Sequence, residues 1–281
     1  MTARPASGAV IDAHTHVWRA VIDHPDPAAT IVSPVCDVGE RALIEHMDEH
    51  GVDAAVLVQP VCAGFDNSLI LDLARADPAR FAGVCAVDPN DPAAGSRLEH
   101  WAERGCRGVR LRPLKRDEEG AFESRGDQPV WEAAQRHGLV VSVYAGRRHL
   151  PAIRRLAERF PDVDVVIDHM AQPDPEAGAA APGWSELLSL AAFPRVHVKV
   201  SGFYYFTREE YPYRGCRGLL ESLRETFGAG RLLWGSDYPH TLLRSGYARS
   251  VHLPARALPD LQRGELAAIM GGTARALYWP A

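Results

Sequence analysis

Eight short runs of apolar residues recur along the chain, and longer mixed or polar stretches separate them. Near-continuous apolar runs of this length are typical of parallel strands that are covered on both faces. The pattern therefore predicts eight buried strands, at residues 9–13, 53–59, 81–87, 107–112, 139–144, 163–169, 196–201 and 231–237.

Between the apolar runs, hydrophobic positions recur with helical spacing among residues that favour helices. A glycine closely follows four of these stretches, at the position where a left-handed residue commonly ends a helix. The predicted helices are Arg41–His50, Leu69–Ala76, Ser96–Arg104, Val130–His137, Leu150–Phe160, Trp184–Ala192, Leu219–Phe227 and a last one from Asp260 to about Leu277.

This alternation of strands and helices predicts the fold class. Successive strand-then-helix units favour an α/β fold in which residues 1–281 form a single (β/α)8 TIM barrel. An open doubly wound sheet is the alternative, but it usually has a glycine-rich phosphate loop after its first strand, where this chain has His14-Thr15-His16. In a barrel, the connections at 19–38 and 172–183 lie at the C-terminal face and are candidate lids.

Composition and charge exclude several classes of protein. The 281 residues are 46% hydrophobic and carry a net charge of −5, which argues against disorder and against electrostatic binding of nucleic acid. Five scattered cysteines without a C-x-x-C motif do not suggest a disulfide framework. No apolar stretch reaches the ~18–20 residues of a membrane span, and the N-terminus lacks the apolar core of a signal peptide. We expect a cytoplasmic protein without membrane or nucleic-acid partners, and leave open whether it is a homo-oligomer.

Polar side chains stand at the carboxyl end of almost every predicted strand. Such residues are expected at the active-site face of a barrel and not at its opposite, stabilising face. His14 and His16 are two positions apart, so in a strand both project to one side and can converge on one point. The strand-end residues are Asp12, His14, His16, Gln59, Asp88, Arg110, Arg112, Tyr144, His169, Ser201 and Asp237.

Three of these strand ends carry a family resemblance. His14-x-His16 after the first strand, Asp168-His169 after the sixth and Gly235-Ser236-Asp237-Tyr238-Pro239 after the eighth resemble the amidohydrolase superfamily. The match is most similar to its amidohydrolase-2 branch, and there to lactonases that open 2-pyrone-4,6-dicarboxylate and sugar-acid lactones. The resemblance implies a barrel hydrolase with its active site at these three strand ends.

The chain departs from this family pattern at two positions. Tyr144 stands at the end of strand five, where many metal-dependent members carry a histidine and where the pyrone-dicarboxylate lactonases are similar in placing a tyrosine. Strand four offers Arg110 and Arg112 instead of the lysine that is carbamylated in binuclear members. We therefore expect no binuclear site. A single divalent metal, zinc by residue type, is compatible with the chain but not required, and its ligands would be His14, His16 and Asp237, with His169 as a further candidate.

The candidate catalytic residues are one carboxylate and three histidines. Asp237 can take a proton from water as the water attacks a carbonyl, and can return that proton to the leaving oxygen. His14, His16 and His169 would polarise the carbonyl and stabilise the oxyanion. Two alternatives stay open: Asp237 caps the following segment or pairs with His240, and His169 is a buried histidine bonded to backbone.

Four further residues are candidates for substrate binding. Arginine forks match carboxylates, and Arg112 at the strand end is better placed for this than Arg110. Arg110 alternatively neutralises a carboxylate inside the barrel, either Asp12 or Asp88. The four candidates are Arg112, Arg110, Tyr144 and Gln59.

Together these features predict a hydrolase that opens a small carboxylated or polyhydroxylated lactone by attack of water on the carbonyl. The alternative is another enzyme of the same superfamily, either a metal-dependent decarboxylase or a zinc-dependent hydrolase. The histidine that the resemblance implies for the decarboxylases at the end of strand five is absent, because Tyr144 occupies that position.

Overall fold

A computed structural model of the chain describes residues 8–18, 38–113, 122, 127–178 and 181–280. Eight parallel strands pair in chain order to form one sheet. The first strand also meets the segment after the last, since the His16 amide donates to the Tyr238 carbonyl over 2.8 Å and Thr15 bridges Tyr238. The sheet thus closes on itself, and the predicted (β/α)8 TIM barrel is confirmed. The candidate lid at 19–38 lies, except for Val38, outside the described residues.

Each predicted strand is present, although most are shorter than the apolar runs. The strands are β1 (Ile11–Thr15), β2 (Ala54–Val58), β3 (Phe81–Ala86), β4 (Gly108–Leu111), β5 (Val140–Val143), β6 (Val165–Ile167), β7 (Val196–Val200) and β8 (Leu232–Trp234).

The helices cover the outside of the barrel, and within the described residues one of them was not predicted. The helices are α1 (Glu40–His50), α2 (Ser68–Ala76), α3 (Ala94–Glu103), α4 (Asp127–His137), α5 (Leu150–Arg159), α6 (Pro182–Ser189), α7 (Arg217–Phe227), α8 (Tyr247–Ala257), α9 (Arg263–Ala267) and α10 (Thr273–Tyr278). The unpredicted helix is α8, which has Pro254 in its interior, where proline usually breaks a helix. In the described part of the chain, no helix is both long and apolar enough to cross a lipid bilayer.

The predicted last helix, Asp260 to about Leu277, is wrong as one continuous element. A π-helical segment, Ala268–Gly272, separates α9 from α10. A Cβ on Gly271 would lie 1.9 Å from the carbonyl oxygen of Ala9, so the backbone of this segment packs directly against the chain entering β1. Such close contact between backbones is a tertiary constraint that helical periodicity does not reveal.

The barrel interior is apolar at its lower end and polar at its upper end. Residues such as Ile11, Val56 and Leu233 form a buried cluster that Tyr278 of α10 also joins. A larger apolar cluster fills the layer between the strands and the helices. Burial of apolar side chains on both faces of the strands stabilises the barrel by about 25 cal/mol per Å² of apolar surface removed from water. The upper strand ends can therefore carry polar groups.

An irregularity in β1 sets the direction of its polar side chains. Ile11 pairs with Ala54, whereas Thr15 pairs with Leu57, so β1 contains one residue more than β2 over the same stretch. An extra residue of this kind is a β-bulge, which redirects the side chains that follow it. Bulges are common beside active sites. His14 lies within this bulge, and His16 follows it directly.

Candidate active site

The two histidines of the first strand end and the carboxylate after β8 converge at the C-terminal face of the barrel. The Nε2 atoms of His14 and His16 are 3.2 Å apart. Oδ1 of Asp237 lies 3.5 Å from His14 Nε2 and 3.3 Å from His16 Nε2. The ring centroid of His169 is 4.8 Å from that of His14. The structure therefore brings together all four predicted catalytic residues, and all four are buried.

The local backbone holds these side chains through close contacts and left-handed conformations. Asp237 has φ 60°, which an L-residue rarely adopts, and its amide donates to the His14 carbonyl over 2.9 Å. A Cβ on Gly235 would lie 2.7 Å from the Cβ of His14, so only glycine allows this approach. His169, also left-handed with φ 50°, packs against Gly202 in the same way. Left-handed backbone and close packing of this kind are common at functional sites.

Asp12 supports this arrangement from behind. Its Oδ1 accepts the amides of Ser236 over 2.8 Å and His14 over 3.2 Å, and its Oδ2 accepts the hydroxyl of Tyr247 over 3.0 Å. Burial raises the pKa of Asp12 to about 6, although these hydrogen bonds lower it. Asp12 thus joins the segments that carry His14 and Asp237 without itself facing them.

Lys199 of β7 is a residue of this site that the sequence analysis did not identify. Its side chain is fully buried, and Nζ lies 2.9 Å from Asp168 Oδ1 and 3.0 Å from His14 Nδ1. Arg110 approaches the other oxygen of the same carboxylate, with Nε 2.8 Å from Asp168 Oδ2. Burial raises the pKa of Asp168, but Lys199, with His14 and Arg110, holds it well below its usual range. A lysine within the apolar run Val196–Val200 was the available signal.

The hydrogen bonds define which nitrogen of each β1 histidine carries a proton. His16 Nδ1 donates to the Val58 carbonyl over 2.8 Å, which leaves Nε2 as an acceptor. Lys199 can only donate, so His14 Nδ1 accepts and His14 Nε2 carries the proton. Burial and the charge of Lys199 lower the pKa of His14 well below its usual value, so its ring is neutral at neutral pH. His14 Nε2–H therefore donates to His16 Nε2 in a continuous chain from Lys199 to Val58.

Asp237 has one oxygen held by a hydroxyl and one facing the histidines. Tyr204 donates a hydrogen bond to Oδ2. Oδ1 is buried and, among the described residues, accepts no hydrogen bond of good geometry. Burial raises the pKa of this carboxyl, but the neighbouring histidines, His169 first, hold it well below its usual range. Asp237 is therefore a buried carboxylate at neutral pH with one lone-pair face directed into the site, as a general base requires.

His169 likewise presents a ring nitrogen without a partner in the described structure. Its Nδ1 is 2.8 Å from the hydroxyl of Ser201, and its buried Nε2 has no hydrogen bond. Burial lowers the pKa of His169 to about 4, so the ring is neutral at neutral pH. The alternative that the His169 ring is bonded to backbone is wrong, because among the described residues the ring pairs with the side chain of Ser201.

The substrate-binding candidates occupy different environments. Arg110 is committed to Asp168 and not to Asp12 or Asp88. Arg112 is only half-buried, and its guanidinium stacks 5.2 Å above the ring of Tyr144. Gln59 is occupied elsewhere, since its amide donates to the carbonyls of Gly64 and Asp66 over 3.0 and 3.1 Å. Arg112 and Tyr144 are therefore the candidates with capacity for a ligand.

A cavity of about 1250 Å³ opens beside the catalytic residues. Tyr204, which donates to Asp237, lies in its wall, as does Tyr205, whose ring is 5.2 Å from that of His169. Arginines and carboxylates line the outer part of this cavity, including Arg244, Arg249 and Glu209. Tyr204 and Tyr205 therefore contact both the cavity and the catalytic residues.

His14, His16 and Asp237 have the geometry of a metal site. Four-coordinate zinc with bonds of roughly 2.0–2.1 Å has ligand atoms about 3.3–3.4 Å apart, and the three atoms here are separated by 3.2, 3.3 and 3.5 Å. Oδ1 of Asp237 and Nε2 of His16 each present a lone pair here, and an ion bound by these three residues would take the place of the Nε2 proton of His14. These donors fit a single divalent ion, and the buried, unpartnered Nε2 of His169 lies beside them.

Comparisons with known proteins agree with this architecture. The family model described as Amidohydrolase matches residues 11–279. An L-fucono-1,5-lactonase of Burkholderia ambifaria is 32% identical over 234 residues, which cover 82% of this chain and 80% of that protein. A 2-pyrone-4,6-dicarboxylate hydrolase of Comamonas testosteroni is 28% identical, covering 83% of this chain and 78% of that protein. The solved structure of an amidohydrolase from Burkholderia multivorans with bound zinc superimposes with a TM-score of 0.83, at 27% identity and covering 97% and 99% of the two chains.

Proposed function

The chain belongs to the amidohydrolase family, and we propose that it is a hydrolase that opens the ring of a small lactone. The observation that carries this proposal is the buried Asp237 carboxylate, whose Oδ1 has no hydrogen-bond partner among the described residues and lies beside three histidines. The similar proteins named as lactonase and pyrone-dicarboxylate hydrolase support the same reaction class. The decarboxylase alternative gains no support from the site, because Tyr144 stands at the end of β5.

In this proposal the residues of the site divide the chemistry between them. Asp237 accepts a proton from water as the water oxygen bonds to the lactone carbonyl carbon. The unpartnered Nε2 of His169, when it carries the ring proton, stabilises the negative charge that develops on the carbonyl oxygen, and His14 holds His16 beside it through their hydrogen bond. When the carbon–oxygen bond of the ring breaks, the proton passes from Asp237 to the ring oxygen, which leaves as a hydroxyl. The product is an open-chain hydroxy acid.

Tyr204 and Lys199 act through these residues. Tyr204 occupies Oδ2 of Asp237, so that Oδ1 alone is available to accept a proton. Lys199 fixes the tautomer of His14, so that the Nε2 proton of His14 points to His16 Nε2. Groups that are held in this way before the substrate arrives do not have to reorganise during the reaction, which is the main source of electrostatic stabilisation.

His14, His16 and Asp237 would hold a single divalent metal ion, with His169 as a further ligand. Zinc at such a site acts as a Lewis acid and lowers the pKa of a bound water. The donor set of this chain fits such an ion, and a similar structure from Burkholderia multivorans contains zinc.

Arg112 is the residue that we propose to recognise the substrate. A half-buried guanidinium that faces the site and stacks on Tyr144 is suited to a carboxylate, or to the hydroxyls of a sugar acid. Burial, together with the nearby charge of Arg110, lowers the pKa of Arg112, and an anionic ligand would offset that repulsion. We also propose that the protein acts in the cytoplasm on a soluble substrate.

A panel of lactones tests the reaction class. Purified protein is incubated with L-fucono-1,5-lactone, 2-pyrone-4,6-dicarboxylate and neutral aliphatic lactones, and acid release is followed with a pH indicator. We expect turnover of at least one sugar-acid or carboxylated lactone, with the hydroxy acid as product. Carbon dioxide release from aromatic acids, with no lactone hydrolysed, would contradict the proposal and favour the decarboxylase.

A further inference from the structure

Helix α1 carries, beside α8, a second group of metal-ligating side chains that the active site does not use. In His46-Met47-Asp48-Glu49-His50, the two histidines are four residues apart and Glu49 lies between them in the helix. Residues at this spacing lie on one side of a helix, one turn apart. The same H-x-x-E-H spacing on a helix supplies the two histidine ligands of one class of zinc enzymes.

The three side chains are close enough to share one ion. One ligand atom from each of His46, Glu49 and His50 lies within 4.8 Å of the others, and His50 Nε2 is 3.9 Å from Glu49 Oε2. His50 is 23% exposed and Glu49 is 71% exposed, so an ion from solvent can reach them. Small side-chain rotations would bring the ligand atoms to coordinating separations.

Packing against α8 holds the two imidazoles in place. The rings of His46 and His50 stack on Tyr247, at centroid distances of 5.5 and 5.9 Å and interplanar angles of 24° and 23°. Tyr247 is itself buried and fixed by the hydrogen bond from its hydroxyl to Asp12. Ligands that are ordered before binding lose less conformational entropy when the ion arrives. This ordering distinguishes the pair from the exposed histidines His100 and His137, which join no such group among the described residues.

We propose that His46, Glu49 and His50 form a surface site for a divalent transition-metal ion, separate from the barrel face. Two imidazoles and one carboxylate suit zinc, nickel or copper, and water completes the coordination. Calcium and magnesium, which prefer sets of oxygen ligands, are not expected to bind there.

Calorimetric titration of the metal-stripped protein with zinc chloride tests this site. We expect the wild type to bind one zinc ion per chain more than H46Q/H50Q, and H100Q/H137Q to match the wild type. H100Q/H137Q is the matched control, since it removes two helical surface histidines outside the cluster. E49Q should retain this binding with an affinity at least threefold weaker. Circular dichroism of each variant verifies that it is folded.

The outcome separates this site from the catalytic one. Identical zinc stoichiometry and affinity in the wild type and H46Q/H50Q would overturn the proposal. An equal loss in H100Q/H137Q would also overturn it, because the binding would then be nonspecific. Lactone hydrolysis by H46Q/H50Q should equal that of the wild type, both with zinc added and after chelation, so failure of the surface site leaves the proposed reaction untouched.

Discussion

Replacing Lys199 with methionine tests whether this buried cation organises the site. The variant removes the ammonium 2.9 Å from Asp168 Oδ1 and 3.0 Å from His14 Nδ1, in a place where both partners are fully buried. Removing one partner of a buried ion pair typically costs about 3–5 kcal/mol, because the other charge is left uncompensated. Arg110 still contacts Asp168 Oδ2, so we expect a loss near the lower end, about 3 kcal/mol.

Urea unfolding followed by tryptophan fluorescence measures this loss. The matched control is R217M, which removes a cation from the exposed pair of Arg217 and Asp260 and should cost at most about 1 kcal/mol. The double variant K199M/D168N should lose less stability than the sum of the losses of K199M and D168N. We expect the difference to be at least about 1 kcal/mol, because the two groups interact directly. A loss below about 1 kcal/mol for K199M, or strict additivity, would refute the assigned role.

Three further predictions concern recognition, catalysis and pH. R112Q should raise the KM for a carboxylated lactone at least about tenfold, because a charge-assisted hydrogen bond contributes roughly 1.5–3 kcal/mol. The KM for a neutral lactone should stay within about twofold. Equal effects on the two lactones would contradict the role of Arg112. Y204F should lower kcat about tenfold with KM nearly unchanged, since the lost hydroxyl contacts Asp237, and an unchanged kcat would exclude it as a positioning residue. Burial raises the pKa of Asp12 from 3.8 to about 6, so the folded state binds more protons between these values and stability falls as pH rises through them. The unfolding free energy of the wild type minus that of D12N should accordingly fall by up to about 3 kcal/mol between pH 4 and 7, whereas a constant difference would contradict the raised pKa.

The periodicity of the chain was sufficient to predict the barrel, and its motifs were sufficient to predict the family. Strand-end position also predicted correctly that His14, His16, His169 and Asp237 lie together, because parallel strands bring their carboxyl ends to one face. Helix α8 was not predicted, because Pro254 interrupts the helical pattern of its sequence. Tertiary packing stabilises the helix in spite of this proline.

The partners of the site residues could not be predicted from the sequence. Lys199 and Asp168 are 31 positions apart, and only the closed barrel brings β7 beside β6 and places the ammonium under His14. The hydroxyl of Tyr204 reaches Asp237 from the loop after β7, and local pattern does not encode that reach. Arg110 pairs with a carboxylate inside the barrel, as the alternative anticipated, but that carboxylate is Asp168.

The most direct test of the central claim is the rate of lactone hydrolysis by D237N beside the wild type, measured with zinc added and again after chelation. Asparagine retains the shape of the side chain but cannot accept the proton of the attacking water. A positioned general base contributes about 10²–10⁴ in rate, so we predict that D237N is at least about a hundredfold slower in kcat under whichever condition supports wild-type turnover. Hydrolysis by folded D237N at the wild-type rate would contradict the assignment of Asp237 as the general base.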